Sequence, residues 1–400
     1  MATGDGVART AGGTSRPAGE AARPEEGSSP RAASGADAER ATPSPLVSPA
    51  PSRVVPAGGL VAVHAHPDDE TLSTGGLIAT WAAAGLPVTV VTCTRGERGE
   101  VIALPGTTSE GLAHLEGDGV ALAAHREAEL ATALLALGGG EAGAVGHRFL
   151  DQVDVPGTAQ PAASGRPGAR YEDSGMAWVA PGVAGPDPEA RAGFATVPID
   201  DAALRLAALL RRLRPAVVAT YERGGGYGHP DHVRAHAVTV RALHLAASDD
   251  AALPGSPWRP QLWQAVAAAG ELRAARSALA AAADVRGAAA RAGLTFPADD
   301  DPLPALARDD AALGDLPPGA LATVPLGPVL DRVVGALRAH ATQVQHVTVP
   351  TAPSAHLAGA GVLGWYALSN AVVAPLRAHE RYLVTAGAAD AQAASVGSAG

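Results

Sequence analysis

Two stretches far apart in the chain share one pattern, His66-Pro67-Asp68-Asp69-Glu70 and His229-Pro230-Asp231-His232. Imidazole nitrogen and carboxylate oxygen together form a donor set suited to zinc or a similar divalent ion. His66, Asp69 and His232 can supply three such donors and leave a fourth position open for water, the mark of a catalytic rather than a structural site. Asp68 adjoins Asp69 but points differently, so it can take a proton from that water. Metal-assisted hydrolysis is the chemistry this set would perform.

Both stretches follow strand-like runs. Leu60 to His64 reads as a buried strand, and Pro67, which cannot continue a ladder, turns the chain out of it. A helix is predicted over Ser73 to Ala84, ending at Gly85, and a second β-branched strand over Pro87 to Cys93. Strand, helix, strand in this order implies a right-handed parallel unit. The loop Thr94 to Ile102 therefore leaves a carboxyl end on the same side as His66. Helices are expected over Leu122 to Leu137 and Asp201 to Leu213, with a short strand over His147 to Leu150. Pro215 to Tyr221 is a third strand, and the glycine-rich stretch from Glu222 to His232 opens a helix carrying His236. Farther on, Gln261 to Ala267 and Glu380 to Thr385 read as strands, and Glu271 to Ala283 and Val329 to His340 as helices. Helical periodicity is lost across Phe296 to Pro318. The fold class expected is α/β, a Rossmann-like, mostly parallel sheet with helices on both faces and the active site beyond the carboxyl ends of its strands.

Composition removes several alternatives. All 30 basic residues are arginine, so no lysine can form a Schiff base or complete a phosphate loop. A net charge of -10 gives no electrostatic reason to expect nucleic acid or an anionic membrane as a partner. The single cysteine, Cys93, excludes an intrachain disulfide and fits a reducing cytoplasm. No apolar run reaches the roughly 20 residues of a membrane span, and no secretory signal is visible. No G-x-S-x-G elbow suggests a serine hydrolase. The loop Gly224 to Gly228 lacks dinucleotide spacing; Gly138-Gly140-Gly143 and Gly359-Gly361-Gly364 match it by letter only, outside the first strand of a βαβ unit. Residues 1–56, rich in Gly, Ala, Ser and Pro with six arginines balanced by six carboxylates, are expected to form a disordered tail. One catalytic domain is expected over 57–387, followed by a loose tail over 388–400.

The stretches VAVHAHPDDETLS, VTVVTCTRGERGEVI, HREAELATALLALG, DSGM, RPAVVATYERGGGYGHPDHVRAH, ALRAHATQV and ALSNAVVAPLRAHERYLV resemble the LmbE/PIG-L-type zinc N-deacetylases, in particular the branch that serves mycothiol biosynthesis. The resemblance implies that His66, Asp69 and His232 hold one zinc ion per chain, with Fe2+ as an alternative, and that Asp68 is the general base. His229 would steady the oxyanion, as an imidazolium, with Tyr227 assisting. Arg126 and Asp173 would hold sugar or inositol hydroxyls, and Ser73, Glu100 and Met176 would line the pocket. The implied substrate is a small molecule, N-acetylglucosaminyl-inositol, from which acetate is removed. A related amidase acting on bulkier mycothiol conjugates shares the metal residues and is the nearest alternative. A non-catalytic sugar- or nucleotide-binding module is the remote one.

Overall fold

The computed structural model describes residues 56–155, 170–187, 193–250 and 253–385. The expected tail over 388–400, all of the expected 1–56 tail except Pro56, and residues 156–169 lie outside these residues.

Strand β1 (Leu60–His64) is buried along its whole length, as a strand covered on both faces must be. The chain leaves it through Pro67 into helix α1 (Asp69–Ala83). That helix starts four residues before the predicted Ser73, because Asp69 and Glu70 occupy its first turn, where carboxylates offset the positive end of the helix dipole. It kinks at Thr74, and the Gly76 and Leu77 N–H groups just beyond the kink donate to the buried Glu380 carboxylate at 2.7 and 2.9 Å. Next come β2 (Val88–Thr92), α2 (Gly119–Leu137), β3 (Val145–Phe149), the antiparallel hairpin β4 (Met176–Ala180) and β5 (Val183–Pro186), and α3 (Ile199–Leu213). Strand β6 (Val217–Tyr221) leads through the single turn α4 (Gly225–Gly228) into α5 (Pro230–Ala247), with Pro230 at the first helical position, where its missing N–H costs nothing.

The C-terminal half begins with β7 (Gln261–Ala268), α6 (Ala269–Ala281) and α7 (Ala283–Ala292). It continues with β8 (Ala307–Arg308), α8 (Asp310–Gly314), β9 (Leu321–Pro325), α9 (Leu330–Ala339), β10 (Gln345–Thr348), α10 (Ala355–Gly359), β11 (Val362–Ala367), β12 (Val373–Arg377) and β13 (His379–Thr385).

The main sheet has the order β3-β2-β1-β6-β7-β13-β9, with β8 paired to the end of β7. The first five strands are parallel, whereas β13 runs antiparallel to both neighbours, β7 and β9. The expected mostly parallel sheet is borne out, with an antiparallel edge. Helices α1, α2 and α9 cover one face around Leu77, Trp81, Leu130 and Leu337, while α3 and α5 cover the other around Leu206, Leu210 and Val238. The chain runs outward from β1 through β2 to β3 and resumes on its other side with β6. The loops after β1 and β6 therefore diverge from a topological switch point, where an open α/β sheet has its natural crevice. Among the described residues no helix is long and apolar enough to cross a membrane.

Candidate active site

Two distant loops meet at the switch point. Asp69 Oδ2 lies 3.3 Å from His66 Nδ1 and 3.2 Å from His232 Nε2, and all three side chains are buried. The same oxygen accepts the His66 backbone N–H at 2.9 Å, which ties the carboxylate to the turn.

Each imidazole is aimed by its other nitrogen. His232 Nδ1 lies 3.1 Å from the Gly225 carbonyl, an acceptor only, so this nitrogen carries the proton and the lone pair of Nε2 faces Asp69. His232 Nε2 is buried and makes no hydrogen bond. His66 Nε2 donates to Asp231 Oδ2 at 3.3 Å, which turns Nδ1 toward Asp69. The Tyr221 ring stacks on His232 at 4.2 Å, and its hydroxyl takes the Ala65 N–H at 3.0 Å. Burial opposes charge on Asp69, yet His232 and His66 together hold its carboxyl well below the usual range. Likewise burial would lower His66, but Asp173, Asp231 and Asp69 raise it well above its ordinary value. The cluster thus stabilises positive charge between the two rings.

Asp68 lies beside this trio in an unusual backbone conformation, φ 109° and ψ -35°. Burial, with Asp69 adding to it and Arg126 opposing, raises its carboxyl to about 7. Arg126 comes from α2 and lies 3.4 Å from Asp68 Oδ2. Its two terminal nitrogens donate to the carbonyls of Gly96 and Pro67 at 2.6 Å each, so it clamps the loops after β1 and β2 together. Gly96 makes this possible: it sits at φ 65°, and a Cβ there would come within 2.0 Å of the guanidinium.

His229 and Tyr227 complete the wall. His229 Nδ1 accepts the Asp231 N–H at 3.1 Å as the cap of α5, which leaves Nε2 as the protonated nitrogen. Burial, and then the neighbouring His66 and His232, hold its pKa well below the ordinary value. Tyr227 stacks on Trp178 of β4 at 5.6 Å, and burial keeps its hydroxyl protonated well above the usual range. Gly228, at φ 101° with the Ala184 carbonyl 2.5 Å from where its Cβ would sit, permits the turn between Tyr227 and His229.

A cavity of about 160 Å³ opens over these groups and is lined by His66, Asp68, Glu100, Arg126, Asp173, Met176, Tyr227 and His229. Asp69 and His232 are not among its lining residues. Ser73, expected at the wall, is not there either; its neighbour Leu72 is, and the Ser73 carbonyl accepts the Tyr382 hydroxyl instead. Among the described residues, two groups of three bring their donor atoms all within 4.8 Å of one another, His66 with His229 and His232, and His66 with Asp173 and Asp231; the trio of His66, Asp69 and His232 is not among them.

The PIG-L family model, described as GlcNAc-PI de-N-acetylase, matches residues 61–243. The 1D-myo-inositol 2-acetamido-2-deoxy-alpha-D-glucopyranoside deacetylase of Kineococcus radiotolerans is 39% identical over 82% of this chain and 77% of its own. The proteins of that name from Tsukamurella paurometabola and Nocardia farcinica are 37% and 39% identical over 82% of this chain and 93% and 91% of theirs. The chain belongs to the PIG-L family of de-N-acetylases. Members of this family are amide hydrolases, and the matched residues include both the His66 and the His229 stretch.

Three residues of this PIG-L site escaped the sequence reading. Asp231, inside the His229-to-His232 stretch, accepts both the N–H and the hydroxyl of Ser174, at 2.8 and 2.5 Å, besides the His66 ring. Its place within the motif was a usable signal. Trp178 and Gln343 line the cavity from segments without metal-ligand spacing, and nothing local in the sequence distinguishes them.

Proposed function

We propose that the chain is a metal-dependent N-deacetylase that hydrolyses the acetamide of N-acetylglucosaminyl-inositol to acetate and the free amine. The reading rests above all on one observation: a buried carboxylate oxygen has two oriented imidazole nitrogens 3.2 and 3.3 Å away. Ligand atoms about 2.0–2.1 Å from one tetrahedral ion stand roughly 3.3 Å apart. His66 Nδ1 and His232 Nε2 each stand at about that distance from Asp69 Oδ2, which supports an ion shared at this oxygen. His229 fits less well as a ligand, because Nδ1 caps α5 and Nε2 carries a proton. Nitrogen and oxygen donors of this kind favour zinc, and elemental analysis separates it from iron.

When bound, the ion would polarise the acetamide carbonyl and make water easier to deprotonate. Asp68 receives the proton of the attacking water as its oxygen bonds to the carbonyl carbon. The same carboxyl then delivers that proton to the nitrogen as the C–N bond breaks; a pKa near 7 suits both transfers. The His229 Nε2–H and the Tyr227 hydroxyl donate to the carbonyl oxygen as it gains charge. Burial opposes ionisation of Asp173, but His66 holds it well below the usual range, so it remains an acceptor for sugar hydroxyls. Arg126 holds both loops and Asp68 in register rather than spending its fork on substrate. Glu100 and Met176 bound the sugar end of the cavity. A neutral polyol needs no basic channel, which agrees with the net negative charge.

Acetate release from N-acetylglucosaminyl-inositol, compared with cleavage of a mycothiol S-conjugate, tests the reading. Preference for the first is expected, and preference for the conjugate would assign the chain to amidase chemistry.

A further inference from the structure

Glu70 and His340 are separated by 270 residues, yet His340 Nε2 lies 2.7 Å from Glu70 Oε1 and neither side chain has any exposed surface. Burying such a pair is costly, so the contact calls for an explanation beyond adhesion. His340 lines none of the cavity over the metal cluster, and the hydrolysis derived above makes no use of it. The second oxygen of Glu70 supplies the missing link. Glu70 Oε2 accepts the backbone N–H of Asp68 at 3.0 Å, while Thr71 Oγ1 donates to Oε1 at 2.5 Å.

Asp68 is the residue at φ 109°, a region that side chains other than glycine rarely occupy and that persists only where surroundings enforce it. Its N–H is held by Glu70, the Glu70 carboxylate is held by His340, and His340 sits at the C-terminal end of α9, which packs against both α1 and α2. We propose that His340 is a positioning residue: through Glu70 it fixes the Asp68 peptide so that the carboxylate faces the cavity. The link to turnover rests on the deacetylase reading, whereas the link to the Asp68 peptide does not.

The test uses full-length, zinc-loaded enzyme with His340→Gln, whose longer amide can reach Glu70, and His340→Asn, whose shorter one cannot. In His340→Asn we expect unchanged zinc content, KM within about twofold and kcat lower by about 10- to 100-fold, the scale of a catalytic group displaced by about an ångström. His340→Gln should recover most of kcat. Adding Asp68→Asn to His340→Asn should cost far less than Asp68→Asn alone, since two changes acting through one group are not additive. Amide exchange at Asp68 should quicken in His340→Asn and not in His340→Gln. Equal kcat and equal Asp68 exchange in the two variants, or full additivity with Asp68→Asn, would overturn the proposal. If the wild type released no acetate, the deacetylase reading would fail and Asp68 exchange alone would decide the positioning role.

Discussion

Replacing Asp68 with asparagine separates chemistry from architecture. Asparagine has the same shape and is among the few side chains that tolerate positive φ, so the turn survives. Arg126 keeps its anchors on Gly96 and Pro67, and the His66, Asp69 and His232 atoms are untouched. What disappears is the proton acceptor, typically worth about 10² to 10⁴ in rate, or about 2.7 to 5.4 kcal/mol at 1.36 kcal/mol per tenfold change. Stability moves the other way. In the folded chain burial raises this carboxyl from 3.8 to about 7. Its ionisation is therefore disfavoured by folding, and stability falls as pH rises from near 4 to near 7. Removing the charge should return up to about 4 kcal/mol to the metal-free protein at pH 8. The assay pairs single-turnover acetate release with urea unfolding of metal-free protein. Near-normal turnover, or a variant that is both slow and less stable, would refute the assignment of Asp68 as the base.

Other predictions follow from the same geometry. Because Asp68 serves only when ionised, kcat/KM of the zinc-loaded enzyme should fall on acidification, along a limb below the value of about 7 that burial gives the carboxyl without a cation; a rate that instead rose on acidification would contradict the role. Gly228→Ala places a methyl 2.5 Å from the Ala184 carbonyl at φ 101°, so it should shift both Tyr227 and His229 and cut kcat at least about tenfold with zinc retained. A kinetic comparison at equal zinc content checks this. Asp231→Asn removes the charged acceptor that orients His66; zinc affinity should drop by about 10- to 100-fold in a competition titration with a chelator.

The half of the fold that builds the crevice was legible because β1, β2 and β6 read as short, mostly apolar and β-branched runs between turn residues. The antiparallel half was legible only in part. Glu380 to Thr385 reads as the strand found as β13, whereas β9 and strands β10, β11 and β12, which pair as a separate antiparallel sheet, lie in Ala- and Val-rich sequence, where an alanine helix and a half-buried strand look alike. The start of α1 was misplaced because His66 to Glu70 reads as a turn, although Asp69 and Glu70 were also a usable first-turn signal. The trio of His66, Asp69 and His232 could be read from motif spacing because each loop follows a confident strand. The contact between His340 and Glu70 depends on packing between distant segments, which no local pattern encodes.

Zinc stoichiometry decides the central claim most directly. Wild-type protein dialysed against buffer should retain one zinc per chain, and His232→Ala, which deletes the orphaned Nε2 beside Asp69, should retain less than about a tenth. Full occupancy in His232→Ala would mean that His66, Asp69 and His232 do not share an ion.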